Sequence, residues 1–426
     1  MTETAADSVR TADETSIWRQ PLAVWAIAFA CAVSFMGIGL VDPILPAIGK
    51  ELGATPGETM LLFTSYLLVT AIAMFFSGFI SSRLGVKRTL LAGLVLIVVF
   101  AALAGAAGSV GGVIGFRAGW GLGNALFIST ALAAIVGASS GGSRQAIVLY
   151  EAALGIGMAL GPLIGGALGE VSWRAPFFGT GVLMAMGFIA IAALLRRDPS
   201  PAPAPVAFTA GLGALRRPAL RTLAIAALFY NYGLFTLLAY TPFPLEAAAA
   251  HAGVEFGAHE LGLVFFGWGT ALAIASVVIA PILTRRWGLM PVLYSMLACV
   301  AASLAVLGVF VTSVVVLVAV VVASGLFMGV LNTAMTEAVM EATDLPRGVA
   351  SSTYSGVRFL GGAIAPAVAG GLAAWIGVAG PYWFGVAALI LSIVSLAVGR
   401  RTLARVSRPH LPEAAEAAAI THGSEA

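Results

Sequence analysis

Twelve separate stretches of this chain are long and apolar enough to cross a lipid bilayer, and their repetition leaves few folds open. They run at about residues 22–48, 59–81, 88–108, 110–138, 145–169 and 176–195, then 221–245, 258–283, 290–311, 313–341, 349–376 and 379–399. A helix needs roughly 20 apolar residues to cross a bilayer core. That core offers no water to backbone N–H and C=O groups, so each span must satisfy its own hydrogen bonds as a helix. Several runs exceed the minimum, which predicts tilt or helical extension past the bilayer. With 60% hydrophobic and 10% charged residues, and a mean hydropathy of +1.01, a soluble core of 426 residues does not hide this surface. The expected fold is an all-α polytopic membrane protein with twelve transmembrane helices.

Charge fixes the expected orientation. Of the 22 Lys and Arg residues, 18 lie on one set of alternating segments, among them Arg83, Lys87, Arg88, Arg216, Arg217, Arg285, Arg286, Arg400 and Arg401. The opposite set holds Lys50 and Arg174 together with Glu51, Glu58, Glu170, Glu246, Glu255 and Glu260. Positively charged loops stay in the cytoplasm, so both termini are expected there, in a multi-pass inner-membrane protein. The sequence pI of about 9.0 is therefore a topology signal, and nucleic acid is not an expected partner. Residues 1–16 lack the basic, apolar and small-residue order of a signal peptide. Cys31 and Cys299 fall in apolar spans and read as separate reduced thiols. The four histidines lie in loops or the tail, so no metal site or cofactor is expected.

The chain divides near its middle. Residues 196–220 open with Arg196-Arg197-Asp198-Pro199 and alternating Ala-Pro, which reads as an extended linker. On either side lie two six-span bundles, 18–195 and 221–400, flanked by tails at 1–17 and 401–426, the latter expected to be disordered. The halves echo each other. Ser81-Ser82-Arg83-Leu84-Gly85 returns as Thr284-Arg285-Arg286-Trp287-Gly288, and Gly161-Pro162 returns as Ala365-Pro366, at offsets of 203 and 204 residues. Such a duplication, with a ligand site between two bundles, is the plan of alternating access.

The fifth span carries Gly157-x-x-x-Gly161-Pro162-x-x-Gly165-Gly166, which puts small residues on one helix face where another backbone can approach closely. This pattern resembles the fifth-helix signature of proton-coupled exporters in the major facilitator superfamily. After the second span, Gly78, Ser82, Arg83, Gly85, Lys87 and Arg88 resemble the family's G-x-x-x-D-R-x-G-R-K, with Ser82 in the aspartate position. In the family that aspartate locks the outward-facing state, so the resemblance implies a weaker lock here. Arg117-Ala-Gly-Trp120-Gly121-Leu-Gly123-Asn124 resembles the fourth-helix pattern, with Trp120 where the family has glutamine. Asp42-Pro43-Ile44-Leu45-Pro46 resembles a first-helix segment of drug/proton antiporters. The resemblance covers residues 18–400.

Intramembrane charge is costly and marks ion pathways, which makes Asp42, Arg117, Glu337 and Glu151 the candidate proton-coupling residues. Asn124 shares a helix face with Arg117. Glu151 has a structural alternative, an ion pair with Arg144, and Arg117 has the alternative of reaching out from a helix end to the interface. Arg358 is a candidate partner for one of the acids. Glu337 stands on a polar stripe of the tenth span with Thr333 and Glu341, beside a second stripe of Asn332, Thr336 and Met340; it suits either a proton or a cationic ligand. Aromatic and methionine walls suit varied hydrophobic ligands. The candidate substrate-binding set is Phe35, Met36, Tyr66, Asn124, Tyr232, Phe235, Asn332, Glu337 and Tyr354. The reading implied is a monomeric exporter exchanging protons for hydrophobic or amphiphilic small molecules. The alternatives are a dedicated exporter of one metabolite or siderophore and, behind it, a nutrient:proton symporter. No nucleophile cluster, metal set or phosphate-cradling loop supports an enzyme.

Overall fold

Apolar runs become helices throughout the computed structural model, which describes residues 20–139, 142–195, 207–342, 345 and 347–403. In the first half these are α1 (Leu22–Gly39), α2 (Leu45–Leu52), α3 (Pro56–Leu84), α4 (Val86–Ala106), α5 (Val110–Ala138), α6 (Gly142–Val171) and α7 (Ala175–Leu194). The second half has α8 (Ala210–Ala214), α9 (Pro218–Phe235), α10 (Pro242–His251), α11 (Ala258–Ile274), α12 (Ala280–Trp287), α13 (Leu289–Val309), α14 (Val314–Glu341), α15 (Arg347–Ile376) and α16 (Gly380–Val398). The first span is α1 and α2 joined by a 3₁₀ turn, Asp42–Ile44. The seventh and eighth spans contain π-helical turns at Thr236–Tyr240 and Ala275–Ile279, each shortly before a proline (Pro242, Pro281) that cannot donate to the ladder. Eleven spans among the described residues meet the length and hydropathy needed to cross a membrane, and α5, at 29 residues, supplies the twelfth. Val182, Ile189, Val277, Ile282, Val315 and Ile390 lie exposed on the outside, as a lipid-facing surface requires.

Local chemistry sets the helix ends. Thr55 caps α3 in a reciprocal box, its backbone N–H donating to Glu58 Oε2 at 2.8 Å and its hydroxyl accepting from the Glu58 N–H at 3.3 Å. The same helix stops at Gly85 (φ +82°, ψ 156°), a conformation open essentially only to glycine, and α4 starts at the next residue. Gly288 ends α12 with φ +82° and ψ 162°, so the turn recurs 203 residues later, as the sequence repeat predicts.

Glycine also sets the packing of the two bundles. In the fifth span, a methyl on Gly157 would collide with the Ala32 carbonyl and one on Gly165 with the Leu40 carbonyl; at Gly161 it would lie 2.6 Å from Met36 O. These three residues seat α6 on α1. The adjoining face meets the other half, where Gly166 would place a methyl 2.5 Å from Ala258 O and Gly262 one 2.7 Å from Pro162 O. The eleventh span repeats the scheme. Gly361 abuts the Leu228 carbonyl of α9, and Gly370 lies against Gly57 of α3, where an added methyl would be 2.6 Å from the Gly57 Cα. Backbones thus touch directly at the seam between halves, as small-residue faces allow in a membrane.

Two polar links cross that seam at its acidic end: Lys50 with Glu246, and His259 with Glu170 at 3.9 Å. At the basic end the second part of the expected linker is ordered. Phe208 stacks on Phe76 (4.4 Å between ring centroids) and meets Phe79 edge-on (5.5 Å). Gly211 packs on the backbone of Phe75, and Thr353 Oγ1 donates to Gly211 O at 3.0 Å. Residues 207–217 therefore clasp α3 and α15 together, and the seventh span begins at Pro218 rather than near 221. The apolar character of this stretch, unlike the Ala-Pro repeat before it, drives the docking. Residues 1–17, 196–206 and the tail from 404 lie outside the described residues.

Candidate functional site

The first span breaks where the sequence places Asp42. Helix α1 ends at Gly39, and the chain then turns through Asp42 and Pro43, which cannot donate a backbone hydrogen bond, before α2 resumes. Asp42 is buried, and neither carboxylate oxygen has a hydrogen-bond partner. It lies within electrostatic reach of Arg117, but the two do not approach to ion-pair distance.

Arg117 is fully buried two turns into α5, which rules out a side chain reaching to the interface. Its guanidinium lies between two aromatic faces, 4.4 Å from the Tyr66 ring centroid and 4.7 Å from that of Trp120. Nη1 donates to Gly37 O at 3.3 Å and Nε to Leu62 O at 3.5 Å, while Nη2 has no partner. Tyr66 Oη, Trp120 Nε1 and Asn124 Nδ2 are likewise buried and unpartnered, although Asn124 Oδ1 accepts from Ser34. The glycines of this segment make the nest possible. A methyl on Gly37 would lie 2.8 Å from the Trp120 ring, and one on Gly121 would strike the Tyr66 carbonyl. Each orphaned buried polar group costs on the order of 1–3 kcal/mol, so their concentration here is expensive for a merely structural arrangement.

The second half holds a different polar cluster. Tyr230 Oη donates to Asn332 Oδ1 at 3.1 Å, lies 3.0 Å from Tyr354 Oη and accepts from Arg358 Nη1 at 3.4 Å. Asn231 Nδ2 donates to Arg358 O at 2.8 Å. The expected acidic partner of Arg358 is replaced by tyrosine hydroxyls from α9 and its own helix. The sequence offers Tyr230 only as one of several aromatics on candidate cavity helices and Trp120 only as a motif position, since an aromatic in an apolar span gives no sign of which way it faces.

The remaining candidates are dispersed. Phe35 and Met36 are buried at the α1–α6 contact, Phe35 edge-on to Tyr150 at 5.9 Å. Phe235 is buried and meets Phe63 of the other half at 6.0 Å, whereas Tyr232 is half-buried. Glu337 is exposed, one turn before the end of α14. The side chain of Glu151 lies outside the described residues. In the loop after the second span, Lys87 Nζ donates to the Ala192 carbonyl at 2.8 Å and to that of Leu195, meeting the negative end of α7. Ser82 Oγ donates to Phe79 O at 2.8 Å, Arg83 lies over the Phe79 ring, Arg88 is exposed, and Gly78 is half-buried.

Comparison with known proteins places these features. The family profile described as Major Facilitator Superfamily matches residues 27–344 and 247–422. The chain is 50% identical over 397 residues to the multidrug efflux protein YfmO of Bacillus subtilis (strain 168), covering 93% of this chain and 98% of that protein. It is 27% identical over 304 residues to the quinolone resistance protein NorA of Staphylococcus aureus (strain MRSA252), covering 64% of this chain and 76% of that one. Its fold matches the crystal structure of the human organic anion transporter MFSD10 (TETRAN) with a TM-score of 0.69 at 17% identity, over 88% of this chain and 99% of that one.

Proposed function

This chain belongs to the Major Facilitator Superfamily, and we propose that it is an efflux transporter that exchanges protons for hydrophobic and amphiphilic small molecules across the inner membrane, with both termini cytoplasmic. The efflux reading is supported by the 50% identical multidrug efflux relative, which this chain matches almost end to end. The coupling reading rests on one observation above the others: an unpartnered, buried carboxylate at a helix break, in electrostatic reach of a buried arginine.

In this proposal Asp42 carries the proton. Ionised, its charge attracts Arg117 across the gap between the first and fourth spans. Protonated, it releases that attraction and leaves the guanidinium to the Gly37 and Leu62 carbonyls and two aromatic faces. The change reaches the seam because Gly39, three residues before Asp42, packs on Pro162, where an added methyl would lie 3.0 Å from the proline Cδ. The fifth span in turn touches the other half through Gly166 and Gly262. A proton moving inward supplies about 2.3 kcal/mol per 100 mV of membrane potential. That drives the exchange only if proton and substrate alternate on the same two-state element.

The decisive test is efflux of a fluorescent lipophilic dye from cells expressing the chain, with and without a protonophore. Loss of efflux on collapsing the gradient supports proton exchange; efflux indifferent to it overturns the coupling. The defined polar network of Tyr230, Asn332, Tyr354 and Arg358 favours a second reading, an exporter selective for one chemical class.

A further inference from the structure

Arg358 stands near the middle of the eleventh span, twelve residues into a 30-residue helix. At roughly 1.5 Å per residue this places it about 17 Å from the helix start, within the bilayer core. A guanidinium there is costly unless an anion compensates it. None of the described acids lies at ion-pair distance, and its side chain meets the hydroxyl of Tyr230, which in turn lies 3.0 Å from that of Tyr354. Both tyrosines are themselves buried, and Tyr230 belongs to the hydrogen-bonded set that reaches Asn332 on the tenth span.

The guanidinium is also incompletely used. One nitrogen donates to Tyr230 at 3.4 Å, a long bond, and Nε is buried without a partner. The residue as a whole is only half-buried, although its partner Tyr230 on the seventh span and Tyr354 on its own helix are buried. Arginine offers a planar fork of donors that fits carboxylates in pairs of hydrogen bonds. Tyrosine hydroxyls and the Asn332 amide surround it with further groups able to donate to an anion.

We infer that Arg358, with Tyr230, Tyr354 and Asn332, binds the anionic group of an amphiphilic substrate, such as a carboxylate or sulfonate, while aromatic side chains take its apolar body. This rests on the efflux reading above and narrows it to a substrate class. It departs from the cationic ligand that Glu337 suggests, because Glu337 lies exposed near the end of α14 and Arg358 lies at the centre.

The test is equilibrium binding to purified protein in detergent, read by fluorescence polarisation. Two probes share one xanthene ring: one carries a free carboxylate and the other its methyl ester. The wild-type protein binds the acid at least about tenfold more tightly than the ester, the scale of one charge-assisted hydrogen bond. Arg358→Gln abolishes that preference and leaves ester binding within about twofold; Arg358→Lys retains part of it. Equal binding of acid and ester by the wild type overturns the proposal without any variant. So does an Arg358→Gln protein, monodisperse by size exclusion, that weakens both probes alike. Binding in detergent needs no gradient, so the two readings fail separately. Absent cellular efflux with the acid preference intact sinks the exporter. Efflux of the ester with no acid preference sinks only the anion site.

Discussion

The two halves share a scaffold and differ in the chemistry placed on it. Each half sets one intramembrane arginine against a tyrosine, Arg117 against Tyr66 and Arg358 against Tyr230. In the first half a carboxylate, Asp42, lies in electrostatic reach, and the arginine is clamped between aromatic rings and backbone carbonyls. In the second half the arginine meets a tyrosine hydroxyl, none of the described acids lies at ion-pair distance, and Nε is left without a partner. The repeated elements are the ones that packing demands: the Gly85 and Gly288 turns, the Gly157 and Gly361 backbone contacts, and the Gly166 and Gly370 seam contacts. Duplication preserved close approach of helices and left the charged residues to diverge into what we propose are an ion site and a substrate site.

The largest effects should come from the shared scaffold, and they should be symmetrical. Gly157→Val and Gly361→Val each force a side chain into a neighbouring carbonyl, a strain of about 1–3 kcal/mol or more. Both should abolish recovery of monodisperse protein by size exclusion, and tolerance of either would break the equivalence of the halves. The next effect should be asymmetrical. Arg117→Gln should stop gradient-driven efflux of every substrate, whereas Arg358→Gln should reduce efflux of acids by tenfold or more and spare neutral amphiphiles. Matching losses across a dye panel would erase the functional distinction. Gly85→Ala and Gly288→Ala should each cost about 1–3 kcal/mol, since alanine resists a positive φ with extended ψ. Thermal unfolding in detergent should show similar shifts for the two. The smallest effect belongs to the clasp: Phe208→Ala removes one stacked ring and should change the ratio of inward- to outward-accessible protein, read by spin-label distances, with little change in melting temperature.

Much of this organisation was legible in the sequence because helical spans, loop charges and glycine spacing are local signals. The positions of α4, α13 and α16 follow from apolar run length alone, and the small-residue face of the fifth span does pack backbone to backbone. The site was less legible for a physical reason. Spans that are apolar on every side give no amphipathic stripe, so periodicity cannot say that Tyr66 folds over Arg117 or that Tyr230 reaches Asn332. Those contacts join different helices and exist only after packing. The acid partner expected for Arg358 failed for the same reason, as did the reading of residues 207–217 as extended linker. Their docking depends on Phe76 and Phe79, more than 100 residues away.

The central claim is that Asp42 carries the coupling proton. Its most direct test compares wild-type and Asp42→Asn protein in liposomes, with two measurements on each: substrate movement driven by an imposed pH gradient, and exchange of labelled for unlabelled substrate without a gradient. The account predicts that Asp42→Asn loses gradient-driven movement and keeps exchange. An Asp42→Asn protein that still concentrates substrate against its gradient, driven by protons as well as the wild type is, would contradict it.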